Sequence, residues 1–448
     1  MNVISKIKSL LPPTSRACQS QFSSISQQQE QLIQSIVRLS AEVAELKDEN
    51  RILKQFRYIN LEYLVGSPED HPRILIAGWY GAENFGDELM LRTILDCMPP
   101  EMLSHIAVML WDSPDYPINL INPKVKIIHY PSTTWEIDQL VSNYDALVWG
   151  GGAIIDDTQF SYDRTNIRTG NLFIHLSSRM IANRKGVYCL GLSANEKLNN
   201  SDYIARLNEL VDGSRLFSLR DPYSKECLIQ AGINGSGIEL CEDLAFASHE
   251  LAKAQKRTRG RTNHRLRIAF IPLVTDYLFD YYIGAIHELG STLRSMGIKS
   301  DLHLIPFAKR DATNGGFLDR LSLHVSGFQT IHVKPYTNSI LEIDFASYDL
   351  VIAYKYHAAL ISLIQQVPTI IVYDEAHPHY RNKMTHLAQL FNQNAPLSSS
   401  NFEAHLDRAI EGSLNHIPDS NTCKLLLETQ RTWLANTCAQ IARDCALV

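Results

Sequence analysis

The sequence lacks several features that mark common classes of protein. No apolar run approaches the roughly 18 residues that a membrane-spanning helix needs, and the amino terminus has neither the apolar segment nor the cleavage site of a secretory signal peptide. The formal net charge of −6 argues against a nucleic-acid-binding protein. None of the eight cysteines stands in a CxxC or other metal-ligand spacing. We therefore expect reduced structural thiols, no metal site and a cytoplasmic location.

Nucleotide-binding motifs are also missing from the first glycine-rich loop. This loop, GWYGAENFGDE at residues 78–88, contains no GKS or GKT and does not follow the GxGxxG pattern. A Walker A site and a dinucleotide fingerprint are therefore excluded there.

The chain is long enough for two domains and an appendage. It has 448 residues, of which 45% are hydrophobic and 20% are charged, as is ordinary for a soluble globular protein. Its segments are, in order, an N-terminal arm (1–20), a coiled coil (21–65), a first α/β domain (73–248), a basic linker (249–267), a second α/β domain (268–395) and C-terminal helices (396–448).

The arm contains a short amphipathic pattern from Met1 to Pro13, with apolar residues and two lysines. Such a segment suits weak contact with a membrane surface, which would place the protein at the inner face of the membrane. The alternative is a frayed terminus or a packing arm.

A heptad repeat follows from Phe22 to Leu53. The d positions are Ile25, Leu32, Leu39, Leu46 and Leu53, and the a positions are Phe22, Gln29, Ile36, Val43 and Asn50. Aliphatic d residues with one Asn at a are typical of a parallel two-stranded coiled coil, so we expect a homodimer formed through residues 22–53. The alternative is a helix packed on its own globular domain.

The first α/β domain contains two glycine-containing loops after apolar strands. Asn84 and Asp87 lie in the loop and helix start that follow the strand at 73–77. Gly151 and Gly152 follow the strand at 146–149, and Asp156 comes shortly after them. Glycines at such corners let a ligand approach the backbone, although tight packing of a helix explains them equally simply.

Polar side chains follow three further strands. Arg220 stands after the strand at 216–219 and could grip a phosphate or carboxylate with two hydrogen bonds, unless it forms only a structural pair with Asp221. Lys355 and His357 follow the strand at 350–352, where a cation and an imidazole suit an anionic substrate that needs a proton moved. The alternative is that Lys355 and His357 are only solvent-exposed polar residues of a loop. The remaining candidates in these loops are Ser224, Arg381 and Lys383.

Five motifs in order resemble the polysaccharide pyruvyl transferase family. They are GWYGAENFGDE, WGGGAIID, SLRDPYS, EDLAF and DLVIAYKYHAALISLIQQVPTIIVYD, over about residues 73 to 385. The resemblance implies two Rossmann-like domains facing across a cleft, as in GT-B glycosyltransferases. The α-helical coiled coil predicted from the heptad repeat lies outside the resemblance and precedes these domains. The resemblance further implies phosphoenolpyruvate as donor, a hydroxyl pair of a glycan or lipid-linked oligosaccharide as acceptor, and no cofactor.

The resemblance also implies roles for single residues. Arg220 and Lys355 would hold the donor's carboxylate and phosphate, His357 would donate and accept the proton, and Asp87 and Asp156 would accept protons from the acceptor hydroxyls. Further donor-binding candidates are Ser224, Asn84, Gly151 and Gly152, with Arg381 and Lys383 as weaker ones.

Two positions depart from the family pattern. The family usually has Arg-x-His where this chain has Lys355-Tyr356-His357, and a Gly-Gln-Gly type of loop where it has Gly191-Leu192-Ser193. Lysine keeps the charge but loses the bidentate fork of arginine. Two other functions therefore stay open: a GT-B glycosyltransferase that uses a nucleotide sugar, and a catalytically silent coiled-coil scaffold in a glycan-assembly complex.

Overall fold

The computed structural model describes residues 73–111, 122–131, 134–158, 160, 169–194, 197–254, 265–313 and 315–446. The predicted arm, the predicted coiled coil and most of the predicted basic linker lie outside these residues. Two parallel sheets with flanking helices make up the described part of the chain.

The first sheet has seven strands, in the spatial order β3-β2-β1-β4-β5-β6-β7. All its described strand pairs are parallel. The strands are β1 (Ile74–Ala77), β2 (Ile106–Leu110), β3 (Lys126–His129), β4 (Ala146–Ile155), β5 (Gly186–Ala194), β6 (Leu216–Leu219) and β7 (Ile238–Leu240). The helices are α1 (Phe85–Cys97), α2 (Thr134–Asn143), α3 (Thr169–Ala182), α4 (Ser201–Gly213), α5 (Pro222–Gln230) and α6 (His249–Lys253).

The second sheet has six parallel strands, in the order β10-β9-β8-β11-β12-β13. They are β8 (Arg265–Ile271), β9 (Lys299–Leu304), β10 (Thr330–Val333), β11 (Leu350–Ala353), β12 (Thr369–Tyr373) and β13 (Leu397–Ser398). Its helices are α7 (Phe279–Ser295), α8 (Lys309–Thr313), α9 (Phe317–His324), α10 (Ile340–Ile343), α11 (Tyr356–Ile364), α12 (Pro378–Leu390) and α13 (Phe402–Asn415), and α14 (Ser420–Ala446) ends the chain.

The sequence of the central strands explains this architecture. All residues of β1, β2 and β11 are buried, and they are apolar runs rather than alternating patterns. Such runs suit parallel strands that are covered by helices on both faces. The order of each sheet reverses between its first strand and a later neighbour, at β1 and β4 in the first sheet and at β8 and β11 in the second. Ligands commonly bind at these switch points, beyond the carboxyl ends of the strands.

Backbone contacts join the loops beyond these two switch points. The N–H of Phe85 donates to the carbonyl of Phe307 at 3.1 Å, and the N–H of Lys309 donates to the carbonyl of Glu83 at 3.0 Å. Glu83 adopts a positive φ of 50°, which is uncommon for a residue with a side chain. The rings of Phe85 and Phe307 also pack with centroids 4.8 Å apart. These contacts place the start of α1 next to the second domain.

The last helix returns to the first domain. The side-chain amide of Gln430 donates to the carbonyl of Glu242 at 2.8 Å, and its oxygen accepts from the N–H of Glu242 at 3.1 Å. Cys423, Leu434 and Ile441 lie in the same apolar core as Leu89 of α1 and are buried there. No helix among the described residues combines the length and hydropathy that crossing a bilayer requires.

Candidate active site

His357 lies at the start of α11 and packs against the first domain. A Cβ atom on Gly86 would lie only 1.8 Å from Nδ1 of this imidazole, so only glycine at position 86 leaves room for the ring. The side chain of His357 is 12% exposed and therefore keeps an opening to solvent. A residue of the second domain thus reaches the first turn of α1.

Asp243 lies on the other side of the same imidazole. Its Oδ1 is 3.4 Å from Nε2 of His357, its Oδ2 accepts from Nη1 of Arg220 at 2.6 Å, and Oδ1 also accepts from the N–H of Ala245 at 2.9 Å. Complete burial alone would raise the pKa of Asp243, but the charges of His357 and Arg220 hold it well below its usual value. Asp243 is therefore an anion that can stabilise an imidazolium at position 357.

Arg220 joins the two domains at this point. Its guanidinium belongs to the end of β6 and lies 4.9 Å from the ring centroid of Tyr356, which belongs to α11. Burial opposes its charge, but the Asp243 carboxylate outweighs burial and raises the pKa of Arg220. Its Nε is buried without a hydrogen-bond partner in the described part of the chain. One donor of a fixed cation is thus left for a ligand.

Asp87 supplies a carboxyl group of a different character. It lies in the first turn of α1, where its Oδ1 would be 3.3 Å from a Cβ on Gly152, and the residue is 8% exposed. Burial raises the pKa of Asp87 to about 6, although His357 and Arg220 both act to lower it. The carboxylate accepts no hydrogen bond from any described residue. A carboxyl group with a pKa near neutrality, free to receive a proton, suits a general base.

Lys355 is the N-cap residue of α11 and is held by an ion pair. Its Nζ donates to Asp311, whose Oδ2 also accepts from the N–H groups of Phe307 at 3.0 Å and Ala308 at 2.8 Å. Burial lowers the pKa of Lys355, and Asp311 opposes that effect. Lys355 is therefore a cation that is held in place by Asp311, and unlike an arginine it cannot grip an anion with two parallel hydrogen bonds.

Arg310 adds a cation that the sequence did not single out. It lies on α8 and is exposed, and its charge lowers the pKa of both Asp87 and Lys355. It makes no ion pair with any described residue. Asp243, Asp311 and Arg310 are the functional candidates that sequence reasoning missed; the EDLAF motif contained Asp243, but nothing in it indicated a partner at His357.

Five residues therefore form what we term the cleft cluster: Asp87, Arg220, Asp243, Lys355 and His357. They come from both sheets, and the pKa of Asp87 responds to His357, Arg220 and Asp243. The described residues contain no group of three or more His, Cys, Asp or Glu side chains placed to hold a metal ion.

The two predicted glycines lie at the end of β4 in the left-handed region, with φ of +67° at Gly151 and +87° at Gly152. A Cβ on Gly151 would lie 2.4 Å from Sδ of Met90, so the close neighbour of this glycine is helix α1. Asn84 is the N-cap residue of α1, but its side chain makes no capping hydrogen bond.

The other predicted residues have different surroundings. Ser224 is fully buried, where its hydroxyl donates to Asp221 at 2.9 Å and accepts from the N–H of Ala194 at 3.0 Å. The carboxylate of Asp156 accepts from the backbone and hydroxyl of Thr158, outside the cleft cluster. Arg381 is exposed, whereas Lys383 is buried beside Arg220.

Comparison with solved structures shows a shared two-domain α/β fold. The structure of Anabaena Alr3699/HepE in complex with UDP and glucose matches with a TM-score of 0.51 and 10% identity, covering 83% of this chain and 100% of that one. The same protein in complex with UDP-glucose matches with a TM-score of 0.51 and 11% identity, over 83% and 100% of the two chains. A Listeria monocytogenes structure described as that of a UDP-N-acetylglucosamine 2-epimerase matches with a TM-score of 0.50 and 9% identity, over 80% and 95%. These are proteins of the GT-B fold.

Sequence comparisons identify the family. The search of curated proteins finds no significant match to this chain. The family model described as polysaccharide pyruvyl transferase matches residues 48–375, which is more than half of the sequence. The chain belongs to the polysaccharide pyruvyl transferase family.

Proposed function

We propose that this protein transfers pyruvate from phosphoenolpyruvate to two hydroxyls of a sugar in a surface-polysaccharide precursor, forming a pyruvate ketal and releasing phosphate. The observation that carries the proposal is the cleft cluster. It combines an imidazole with a buried anion beside it, a carboxyl group with a pKa near 6, and cations from both domains. The family membership supports the same reaction class.

The cations of the cluster account for donor binding. Phosphoenolpyruvate carries a carboxylate and a phosphate, and preorganised cations stabilise such anions most strongly in a site that excludes water. Arg220 offers its free Nε, and Arg310 offers an exposed guanidinium without an ion pair among the described residues. Lys355 contributes less than a family arginine would, because Asp311 already neutralises much of its charge.

His357 is the proton donor in this scheme. It transfers a proton to the methylene carbon of the donor, so that positive charge develops at the neighbouring carbon that carries the phosphate oxygen. The charge of Asp243, at 3.4 Å from Nε2, stabilises the imidazolium before that transfer.

Asp87 is the proton acceptor. A sugar hydroxyl attacks the cationic carbon and gives its proton to Asp87, whose pKa of about 6 leaves it largely ionised at pH 7. The carbon–oxygen bond to phosphate then breaks: phosphate leaves with the bonding electrons and takes the proton from Asp87, which restores the Asp87 carboxylate. The second hydroxyl then attacks the same carbon to close the ketal. The second hydroxyl loses its proton to the imidazole, which restores His357 for the next turnover.

The test is a transfer assay with purified full-length protein. Phosphoenolpyruvate is incubated with candidate lipid-linked glycans, product mass is measured by mass spectrometry, and phosphate release is measured in parallel. We expect addition of pyruvate with stoichiometric phosphate, and loss of both in His357→Ala and Arg220→Ala. Lys424→Met is the matched control, because Lys424 lies on an exposed face of α14 and, among the described residues, pairs only with Glu428. Turnover in His357→Ala equal to that of the control would refute the assigned chemistry.

The second candidate is a glycosyltransferase that uses a nucleotide sugar. The observation that favours it is the fold shared with Alr3699/HepE, whose structure contains UDP-glucose. That likeness, at 11% identity, concerns the fold alone. Release of UDP from UDP-sugars, with no phosphate released from phosphoenolpyruvate, would decide for this candidate.

A further inference from the structure

Helix α12 of the second domain packs against the end of the first sheet. Nε2 of His386 lies 3.4 Å from Oε2 of Glu242, and Asn382 lies close to Tyr223. Lys383 follows Asn382 and lies one turn before His386 on this helix, and it is only 3% exposed. The lysine side chain is therefore enclosed between the two domains, beside Arg220.

The ammonium of Lys383 has no acceptor in this enclosure. It makes no hydrogen bond or ion pair with any described residue, and the ring centroid of Tyr380 is 6.0 Å from Nζ. Both nearby carboxylates already accept hydrogen bonds. Asp243 accepts from Arg220, and Asp221, the N-cap residue of α5, accepts from the N–H and the hydroxyl of Ser224. A buried ammonium without an acceptor is unfavourable.

The charges around Lys383 act in both directions. Burial and, to a smaller extent, the like charge of Arg220 lower the pKa of Lys383 to about 7, and the opposing carboxylates do not compensate. The charged or titratable groups that face it are Arg220 at the end of β6, Asp221 and Cys227 on the α5 side, Asp243 after β7, and Tyr380 on its own helix. Arg220 itself presents a buried Nε that has no partner among the described residues. Nζ of Lys383 and Nε of Arg220, two donors whose charges act on each other, thus both lack an acceptor among the described residues.

We infer that Lys383 binds the phosphate group of the donor together with Nε of Arg220, and that donor binding draws one proton from solvent onto the lysine amine. This inference rests on the proposed function and names the group that receives the donor's phosphate. A phosphate monoester carries a charge of about −1.5 to −2 and three acceptor oxygens at pH 7. It therefore supplies both the missing acceptor and the opposite charge, and the protonated amine becomes the favoured form in the complex.

The inference is tested by calorimetric titration of the full-length protein at pH 8 in two buffers of different ionisation enthalpy. The ligands are phosphoenolpyruvate and methyl phosphate, which has the phosphate but cannot transfer pyruvate. At pH 8 an amine with a pKa of about 7 is mostly neutral, so wild-type protein should take up about 0.9 proton per ligand bound. Lys383→Met should lose this uptake and bind at least about 10-fold more weakly. Lys383→Arg should bind without uptake, and Lys424→Met should behave as wild type.

The outcomes separate the inference from the proposed function. Binding of phosphoenolpyruvate without proton uptake, or with the same uptake in Lys383→Met, overturns the inference and leaves pyruvyl transfer intact. Proton-coupled binding of methyl phosphate by a protein that transfers no pyruvate supports the inference and removes the proposed reaction. Absence of binding of either ligand to wild-type protein overturns the inference. If Lys383→Met does not fold, the inference is tested by the proton uptake of the wild-type protein and by its loss in Lys383→Arg.

Discussion

Replacing Asp87 by asparagine should make the protein more stable and less active. The carboxyl group of Asp87 is 8% exposed and accepts no hydrogen bond from any described residue, and burial raises its pKa from 3.8 to about 6. In an unfolded chain the same group would keep its ordinary pKa. The ionised form is therefore less favourable in the folded state than in the unfolded state.

The magnitude follows from that difference in pKa. A difference of one in pKa corresponds to about 1.4 kcal/mol, so the ionised Asp87 destabilises the folded protein by about 3 kcal/mol at pH 7.5. Below the unfolded pKa both states hold the proton and this cost vanishes. It grows as the pH rises and reaches its full value above the folded pKa of about 6. Asparagine has nearly the same size and never ionises, so Asp87→Asn should gain about 3 kcal/mol at pH 7.5 and about half of that at pH 5.

Urea unfolding at the two pH values measures the gain, and the transfer assay measures the loss. Turnover should fall at least about 100-fold, because a general base contributes roughly that much. Asp311→Asn is the matched control of opposite sign, since Asp311 bonds Lys355 and two backbone N–H groups and should stabilise the fold. A destabilised Asp87→Asn at pH 7.5, or a gain that does not change with pH, would refute the reasoning.

Three further predictions concern other parts of the chain. Asp243→Asn removes the anion at 2.6 Å from Arg220 and should lower the free energy of unfolding, measured in urea, by about 3–5 kcal/mol, because the guanidinium stays buried. Gly86→Ala should keep its circular dichroism but lose at least about 100-fold in turnover, because its Cβ would displace the imidazole of His357. Light scattering should give a dimer for the full chain and a monomer when residues 1–66 are deleted; a full-length monomer would contradict the predicted coiled coil.

Much of the fold could be predicted from local sequence. Leu350–Ala353 and Thr369–Tyr373 are apolar runs separated by a helical pattern and a proline, which predicts two buried strands. The structure has strands at both positions. The second sheet begins at Arg265, three residues before the predicted boundary at 268, because the basic residues there lie at the exposed end of a strand. The predicted helix of the tail is observed as Ser420–Ala446.

From the sequence, the candidate site could be predicted only as separate polar residues after individual strands, without their contacts to one another. Arg220, His357 and Lys355 were identifiable because each follows a buried strand, where side chains face a ligand. Their partners were not identifiable, because Asp311 reaches Lys355 only through the packing of the second domain, and Asp243 reaches His357 only where the two domains meet. Likewise, no local pattern distinguishes Ser224, whose hydroxyl bonds the helix-capping Asp221 and the backbone of Ala194, from a serine that contacts a ligand.

The sequence by itself determined the alternation of strands and helices, the family and the corners that carry polar residues, because these depend on neighbours within a few positions of each other. Only the tertiary structure decided which charges meet. Asp87 and Asp243 are both buried aspartates, yet the pKa of one is raised and that of the other is lowered, because Asp243 touches Arg220 and His357 while Asp87 has no hydrogen-bonding partner among the described residues. That difference depends on distances of a few ångströms between domains, over which burial and charge oppose each other.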